Sequence, residues 1–196
     1  MTDEVPPVAR GFDPELPSPA RIYDCFLGGT HNFAADRAVA AQAIAVLPEL
    51  PAIAQANRAF LGRAVRAAAT AGLTQFLDLG SGIPTVGNVH EVAREIRPAA
   101  RVAYVDIDPV AVLHSRSILA GDHRTAVLQA DLRDAKRILA DPDIQALIDF
   151  GGRNAYRRPQ LFHQVFLHVA PLVGRRFERR LRVGPHGLGQ GGEFRL

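Results

Sequence analysis

The stretch FLDLGSGIPTVGN, residues 76–88, passes from a short apolar run to an aspartate and then to two glycines one residue apart. A short apolar run that ends in glycine is typical of a buried strand turning directly into a helix. Gly80 and Gly82 allow the main chain to pass close to a ligand, because neither residue has a Cβ. The stretch therefore predicts a strand-to-helix turn whose backbone N–H groups face a ligand.

Strands and helices alternate in the segments that surround this turn. Strands are predicted over residues 74–79, 101–107 and 125–131, and helices over 86–97, 109–120 and 133–141. Such alternation implies a parallel sheet with right-handed crossovers, so the fold class is α/β.

Three helices are predicted before the first strand. Ser18 can cap the first helix, and Gly28 and Gly29 can end it. The second helix reaches about residue 46, and the third runs from about 51 to 71. Its expected buried face contains Ile53, Ala56, Phe60, Ala64 and Val65.

Composition and charge exclude several classes of protein. The 196 residues are 47% hydrophobic, enough for one domain, and a single cysteine excludes a disulfide framework.

The N-terminus has acids and prolines where a secretion signal needs a basic and then an apolar segment, and no apolar run is long enough to span a bilayer. We therefore expect a cytoplasmic protein with no membrane partner. No histidine spacing indicates a metal site.

The acid beside the glycines discriminates between nucleotide ligands. A dinucleotide fingerprint needs a third glycine where the chain has Thr85, and no phosphate-loop lysine is present. Asp78 would repel a pyrophosphate, whereas it would attract a cationic ligand. S-adenosylmethionine carries an ammonium and a sulfonium group, so Asp78 can accept a hydrogen bond from its amino group while the N–H groups of Gly80, Ser81 and Gly82 face its methionine portion.

Two further acids end the second and third predicted strands. Asp106, followed by Ile107, is placed to bind the ribose hydroxyls, and Asp131, followed by Leu132, is placed to bind adenine. The alternative reading is that Asp106 and Asp131 are helix caps. Asp108 is interpreted as the cap of the helix that starts at Pro109.

The motif IYDCFLGGTHNF, residues 22–33, has two interpretations. Tyr23, His31 and Asn32 could form a lid over the cofactor. A capped helix that stops at its glycine pair explains the same pattern without a ligand.

Four motifs together carry a resemblance: PSPARIYDCFLGGTHNFAADR, FLDLGSGIPTVGNVHEVA, YVDIDPVAVLHSR and LQADLRD. Over about residues 17–149 the chain resembles an actinobacterial family of S-adenosylmethionine-dependent methyltransferases long described as a domain of unknown function. The resemblance implies a Rossmann-like methyltransferase fold and a cofactor held by Asp78, Gly80, Ser81, Gly82, Asp106 and Asp131. It implies neither the methyl acceptor, nor the catalytic residues, nor the oligomeric state.

The alternation of predicted strands and helices stops after the apolar run that ends at Phe150. We therefore expect the sheet to be incomplete after its third strand. We divide the chain into a flexible arm (1–17), the helical segment with the cofactor-binding half of the domain (18–150) and a tail (151–196). The tail carries nine arginines, two glutamates and no aspartate, and we interpret it as the product of a frameshift near Asp149 or Phe150.

Three functions follow from these observations. The first is a methyltransferase, of which this copy could be a truncated and inactive form. The second is a non-enzymatic fragment that binds adenosine. The third is a basic RNA-binding protein that uses the arginines of its tail. Nucleic acid is not the expected partner, because Phe177 is the one aromatic residue within the arginine cluster at residues 175–182.

Overall fold

The computed structural model of the chain describes residues 13–84, 87–150 and 160–163. Helices α1 (Pro19–Phe26), α2 (Ala34–Val46) and α3 (Leu50–Thr70) come first, and strand β1 (Gln75–Leu79) follows. The alternating part then contains α4 (Val89–Ile96), β2 (Arg101–Asp106), α5 (Pro109–Ile118), β3 (Thr125–Gln129), α6 (Ala135–Ala140), α7 (Pro142–Leu147) and β4 (Gln160–His163). Residues 1–12 of the predicted arm and most of the predicted tail lie outside the described residues.

The described strands form one parallel sheet in the order β3-β2-β1-β4. The predicted α/β class is confirmed. The expectation that the sheet is incomplete after its third strand also holds, since the described residues add only the four-residue β4, which pairs with β1. β1 is therefore an interior strand of this sheet. The apolar run that begins at residue 161 fits a strand or a short helix by sequence, because four residues are too few for alternation to decide.

Side chains of β1 and β2 enter two cores on opposite faces of the sheet. Phe76 and Val102 pack with α3 and α4 on one face, whereas Leu77 and Val105 pack with α6 and α7 on the other. Successive strand residues point to opposite faces, so a strand covered on both faces has no polar side. Asp78 lies two residues after Phe76 and hence on the α3 and α4 face, beside Tyr104 of β2.

Helix α3 buries only part of the predicted face. Val65 is buried as predicted, whereas Ile53 is 38% exposed and Phe60 is 53% exposed, and Leu61 packs in the core with Val65. An alanine-rich helix has apolar residues on most of its surface, so periodicity alone does not select the buried face. The partner surface on β1 and α4 selects it.

The first helix is held by polar side chains that reach distant parts of the chain. Arg21 is buried and pairs with Asp36 at 2.8 Å and with Asp108 at 3.1 Å. Ser18 is the N-cap residue of α1, but its hydroxyl contacts the carboxylate of Asp108 and makes no cap hydrogen bond. These contacts attach the N-terminal helices to the beginning of α5.

No single helix in the described ranges is both long and apolar enough to cross a membrane. α2 and α3 reach that length only as a pair bent by 102°.

Candidate functional site

The glycine loop folds back onto the end of β2. Gly80 and Gly82 have φ values of 71° and 66°, which side-chain-bearing residues rarely adopt. The N–H groups of Gly80 and Ser81 donate to the carbonyl of Val105 at 2.8 and 3.1 Å, and that of Gly82 donates to Asp106 at 2.7 Å. The expectation that these N–H groups face a ligand is therefore wrong in this structure, because β2 extends past β1 and provides their acceptors. A Cβ at Gly82 would meet no atom of the described residues within 4 Å, so these residues leave the outer side of the loop open.

Asp78 is a buried acid with an unused acceptor. Its side chain is 2% exposed, and its Oδ1 accepts no hydrogen bond from the described residues. Burial raises the pKa of Asp78 to about 7; the charge of Arg58 opposes this shift and that of Asp106 adds to it. A buried carboxylate oxygen without a donor is unfavourable, so this position fits a ligand that brings a donor or a positive charge.

Asp106 braces the loop. Its Oδ2 accepts from the N–H of Gly82, and its Oδ1 accepts from the N–H of Asp108 at 2.8 Å. Burial raises the pKa of Asp106, and these backbone hydrogen bonds act in the opposite direction. A carboxylate oxygen can accept two hydrogen bonds, so Asp106 retains capacity for ribose hydroxyls. The acid is thus both a loop support and a possible ligand group.

Asp108 caps helix α5, as the sequence predicts. Its Oδ1 accepts from the N–H groups of Val110 at 2.7 Å and Ala111 at 3.2 Å.

Asp131 lies two residues beyond the end of β3 and is engaged by Arg133. The Nε of Arg133 lies 2.9 Å from both carboxylate oxygens, and this hydrogen-bonded pair lowers the pKa of Asp131 to about 2. A ligand amino group would have to compete with that guanidinium. Ile107 is 61% exposed, and Leu132 lies 3.8 Å from the position of a Cβ on Gly80. The binding roles of Ile107, Asp131 and Leu132 stay predictions.

The N-terminal motif is organised around Asp24. The backbone N–H of His31 donates to Asp24 Oδ2 at 2.9 Å, and the side-chain amide of Asn32 donates to it at 2.8 Å. The hydroxyl of Tyr23 donates to the carbonyl of Ala54 at 3.1 Å, which ties α1 to α3. α1 ends at Phe26, and Gly28 has a φ of 75°, so the predicted glycine stop is confirmed. The lid role of Tyr23, His31 and Asn32 stays a prediction.

Two small adjoining hollows border the glycine loop. Both are lined by Arg58 of α3, Ser81 and Gly82; Asp78 and Tyr104 line one of them and Asp24 the other. We call them together the loop hollow.

Asp24 and Arg58 were missed by the sequence reasoning. Asp24 Oδ1 is buried without a hydrogen-bond donor among the described residues. A Cβ on Gly29 would lie 2.0 Å from this oxygen, so a glycine is required there. An acid followed closely by paired glycines is the signal that could have pointed to Asp24. No comparable signal exists for Arg58, because an arginine in an alanine-rich helix usually marks a solvated face.

Tyr104 completes the polar lining. Its hydroxyl accepts from the backbone N–H of His90 at 2.9 Å and lies 2.7 Å from His90 Nδ1. Burial raises the pKa of Tyr104, and the charge of Asp78 raises it further. Burial also lowers the pKa of His90. Both groups are therefore neutral at pH 7, which leaves Asp78 and Arg58 to define the charge of this side of the hollow.

The chain is similar to several known proteins. It is 52% identical to a protein of known structure from Thermobifida fusca YX, provisionally assigned as a methyltransferase, with a TM-score of 0.71 over 73% of this chain and 54% of that one. A DUF574 family protein from Streptomyces avermitilis MA-4680 is 39% identical, with a TM-score of 0.70 over 76% of this chain and 56% of that one. The chain thus spans about half the length of these two proteins.

A shorter similarity links the chain to Ribosomal RNA small subunit methyltransferase H of Halorhodospira halophila. The two are 35% identical over 63 residues, which are 32% of this chain and 19% of the relative.

The family model described as S-adenosyl methyltransferase matches residues 7–174. The match continues beyond Phe150, so the resemblance does not end where the motifs indicated. Because this match covers most of the chain, and because the two solved structures share its fold, the chain belongs to the S-adenosyl methyltransferase family, whose cofactor is S-adenosylmethionine.

Proposed function

We propose that the loop hollow binds S-adenosylmethionine and that the protein transfers its methyl group to an acceptor. The observation that carries this proposal is the buried Oδ1 of Asp78, which has no donor among the described residues and lies beside the glycine loop. An ammonium group supplies both the missing donor and the opposite charge.

Five of the predicted cofactor residues have a role in this proposal, and the glycine loop shapes the hollow without donating its N–H groups. Asp78 binds the ammonium group, and Asp106 binds the ribose hydroxyls with the lone pairs that the loop leaves unused. Ile107 and Leu132 cover the faces of the adenine ring. Asp131 accepts from the adenine amino group when Arg133 moves aside, which its 76% exposed side chain permits.

The cofactor, when bound, supplies an activated methyl group on a sulfonium. The described residues contribute alignment and exclusion of water, which are the main requirements of an in-line displacement. We assign no catalytic residue, because in this kind of fold the acceptor contacts usually come from loops after the fourth strand. We also propose a cytoplasmic location, which the single cysteine favours.

Small molecules and nucleic acids are the two candidate classes of methyl acceptor. The relative from Halorhodospira halophila is named as a ribosomal RNA methyltransferase, so a nucleic-acid acceptor enters here as a candidate. A binding fragment without transferase activity is the second candidate function, because the chain spans about half of its solved relatives.

Calorimetry with S-adenosylhomocysteine on the full chain tests the proposal. We expect saturable binding by the wild type and no binding of NAD. Asp106→Ala should weaken binding by about 1–3 kcal/mol through lost charge-assisted hydrogen bonds, and Asp78→Asn should also weaken it. Asp143→Asn is the control, since Asp143 is exposed in α7. Unchanged affinity in both site variants would contradict the assignment. A separate assay of labelled-methyl transfer distinguishes the enzyme from the binding fragment.

A further inference from the structure

The charges around the loop hollow are distributed unevenly. Within the part of the chain that the structure describes, Asp24 and Asp78 each have a buried oxygen without a hydrogen-bond donor, and they lie on different sides of the hollow. Arg58 is the one arginine or lysine among the described residues that line it, and it borders both sides. The hollow therefore has two acidic sides and one basic residue between them.

Arg58 acts on Asp78 without satisfying it. The positive charge of Arg58 lowers the pKa of Asp78, yet that pKa remains near 7 and no described residue donates to Oδ1. The Nη2 of Arg58 donates to Asn88 Oδ1 at 3.5 Å, which is the limit of a hydrogen bond to a neutral acceptor. A carboxylate would be a stronger partner, because a guanidinium can donate two parallel hydrogen bonds to it.

A basic and an acidic group held apart at one hollow match the two charges of an α-amino acid. We propose that Arg58 binds the carboxylate of the methionine portion of S-adenosylmethionine while Asp78 binds its ammonium group. This inference rests on the proposed function and assigns a cofactor contact to the N-terminal helices. It also gives those helices a functional reason to precede β1, since α3 carries the guanidinium to the glycine loop.

Three ligands separate a carboxylate contact from a general effect on the site. S-adenosylhomocysteine has the complete amino-acid portion, decarboxylated S-adenosylmethionine has the amine without the carboxylate, and methylthioadenosine has neither. In calorimetry on the full chain, Arg58→Met should weaken S-adenosylhomocysteine roughly 10- to 100-fold. It should change the affinity for the other two ligands by less than about threefold, because neither ligand has the carboxylate.

Two further variants control for folding and for charge. Arg58→Lys keeps the charge but loses the two parallel donors, so we expect an intermediate loss that is confined to S-adenosylhomocysteine. Arg66→Met removes an exposed arginine of the same helix, paired with Glu95 at 3.0 Å, and should leave all three affinities unchanged.

The outcomes separate this inference from the proposed function. If the wild type binds none of the three ligands, the proposed function fails and the inference with it. If the wild type binds and the Arg58 variants lose all three ligands equally, or lose none, the carboxylate assignment is overturned while cofactor binding stands. Selective loss of S-adenosylhomocysteine supports it.

Discussion

Replacing Asp78 with asparagine should stabilise the protein increasingly as the pH rises. The unfolded carboxyl is ionised above its ordinary pKa of 3.8, whereas the folded protein retains the proton up to about pH 7. The folded state therefore binds more protons between these values, and stability falls as pH rises through that window. This contribution is fully present below about pH 4 and is lost above about pH 7.

The magnitude follows from the shift in pKa. At about 1.4 kcal/mol per unit, the change from 3.8 to about 7 corresponds to about 4 kcal/mol, of which roughly 2–3 kcal/mol falls between pH 5 and pH 8. Asparagine has nearly the same shape and cannot ionise. The free energy of unfolding of Asp78→Asn, relative to the wild type, should therefore rise by roughly 2–3 kcal/mol from pH 5 to pH 8.

Urea unfolding of both proteins at pH 5 and pH 8 measures this difference. The pH dependence that comes from other titratable groups is the same in the two proteins, so it cancels when their unfolding free energies are subtracted. The variant's uncompensated amide adds a cost that does not depend on pH, so only the change with pH is informative. Asp143→Asn should show no such change. A constant difference between Asp78→Asn and the wild type at both pH values would refute the reasoning. If it holds, a variant that is more stable at pH 8 should also bind the cofactor less well, as expected for a strained functional acid.

Substitutions at four other residues test the remaining contacts. Arg21→Met should lower the free energy of unfolding by about 3–5 kcal/mol in urea, because it leaves two buried carboxylates without their partner, and Arg21→Lys should lose less. Gly29→Ala should lower the melting temperature, because the new Cβ would lie 2.0 Å from a buried carboxylate oxygen of Asp24. Gly62→Ala should stabilise α3 by about 0.5–1 kcal/mol, because its Cβ would lie 3.7 Å from the nearest described atom, a side-chain nitrogen. If Gly29→Ala and Gly62→Ala change the melting temperature in the same direction and by the same amount, the predicted clash at Gly29 is wrong. Arg133→Ala should raise the pKa of Asp131 from about 2 toward its ordinary value, which a carboxyl NMR titration measures; an unchanged titration would show that Arg133 is not the cause.

The sequence by itself determined the order of elements and the position of the site. Alternating apolar runs and helices specify a parallel sheet, and parallel strands that are neighbours in the sheet end at the same edge. Asp78, Asp106 and Asp131 follow three such strands, so local pattern was sufficient to bring them to one edge. The glycine loop was equally readable, because a positive φ leaves a direct trace in residue type.

Only the tertiary structure decided which of these groups remain available to a ligand. Asp106 is bonded to Gly82 across 24 residues and Arg21 reaches Asp108 across 87, and no local pattern encodes such partners. The sequence also does not show that Arg58 borders the hollow, because an arginine in this helix fits a solvent-exposed face equally well. Nor does it show that β4 pairs with β1, because four residues are too few to establish a period. Hydrogen bonds and charges act over a few ångströms in space, whereas periodicity and turn chemistry act along the chain. The sequence could therefore locate the site, but packing alone settled which acceptors in it are unused.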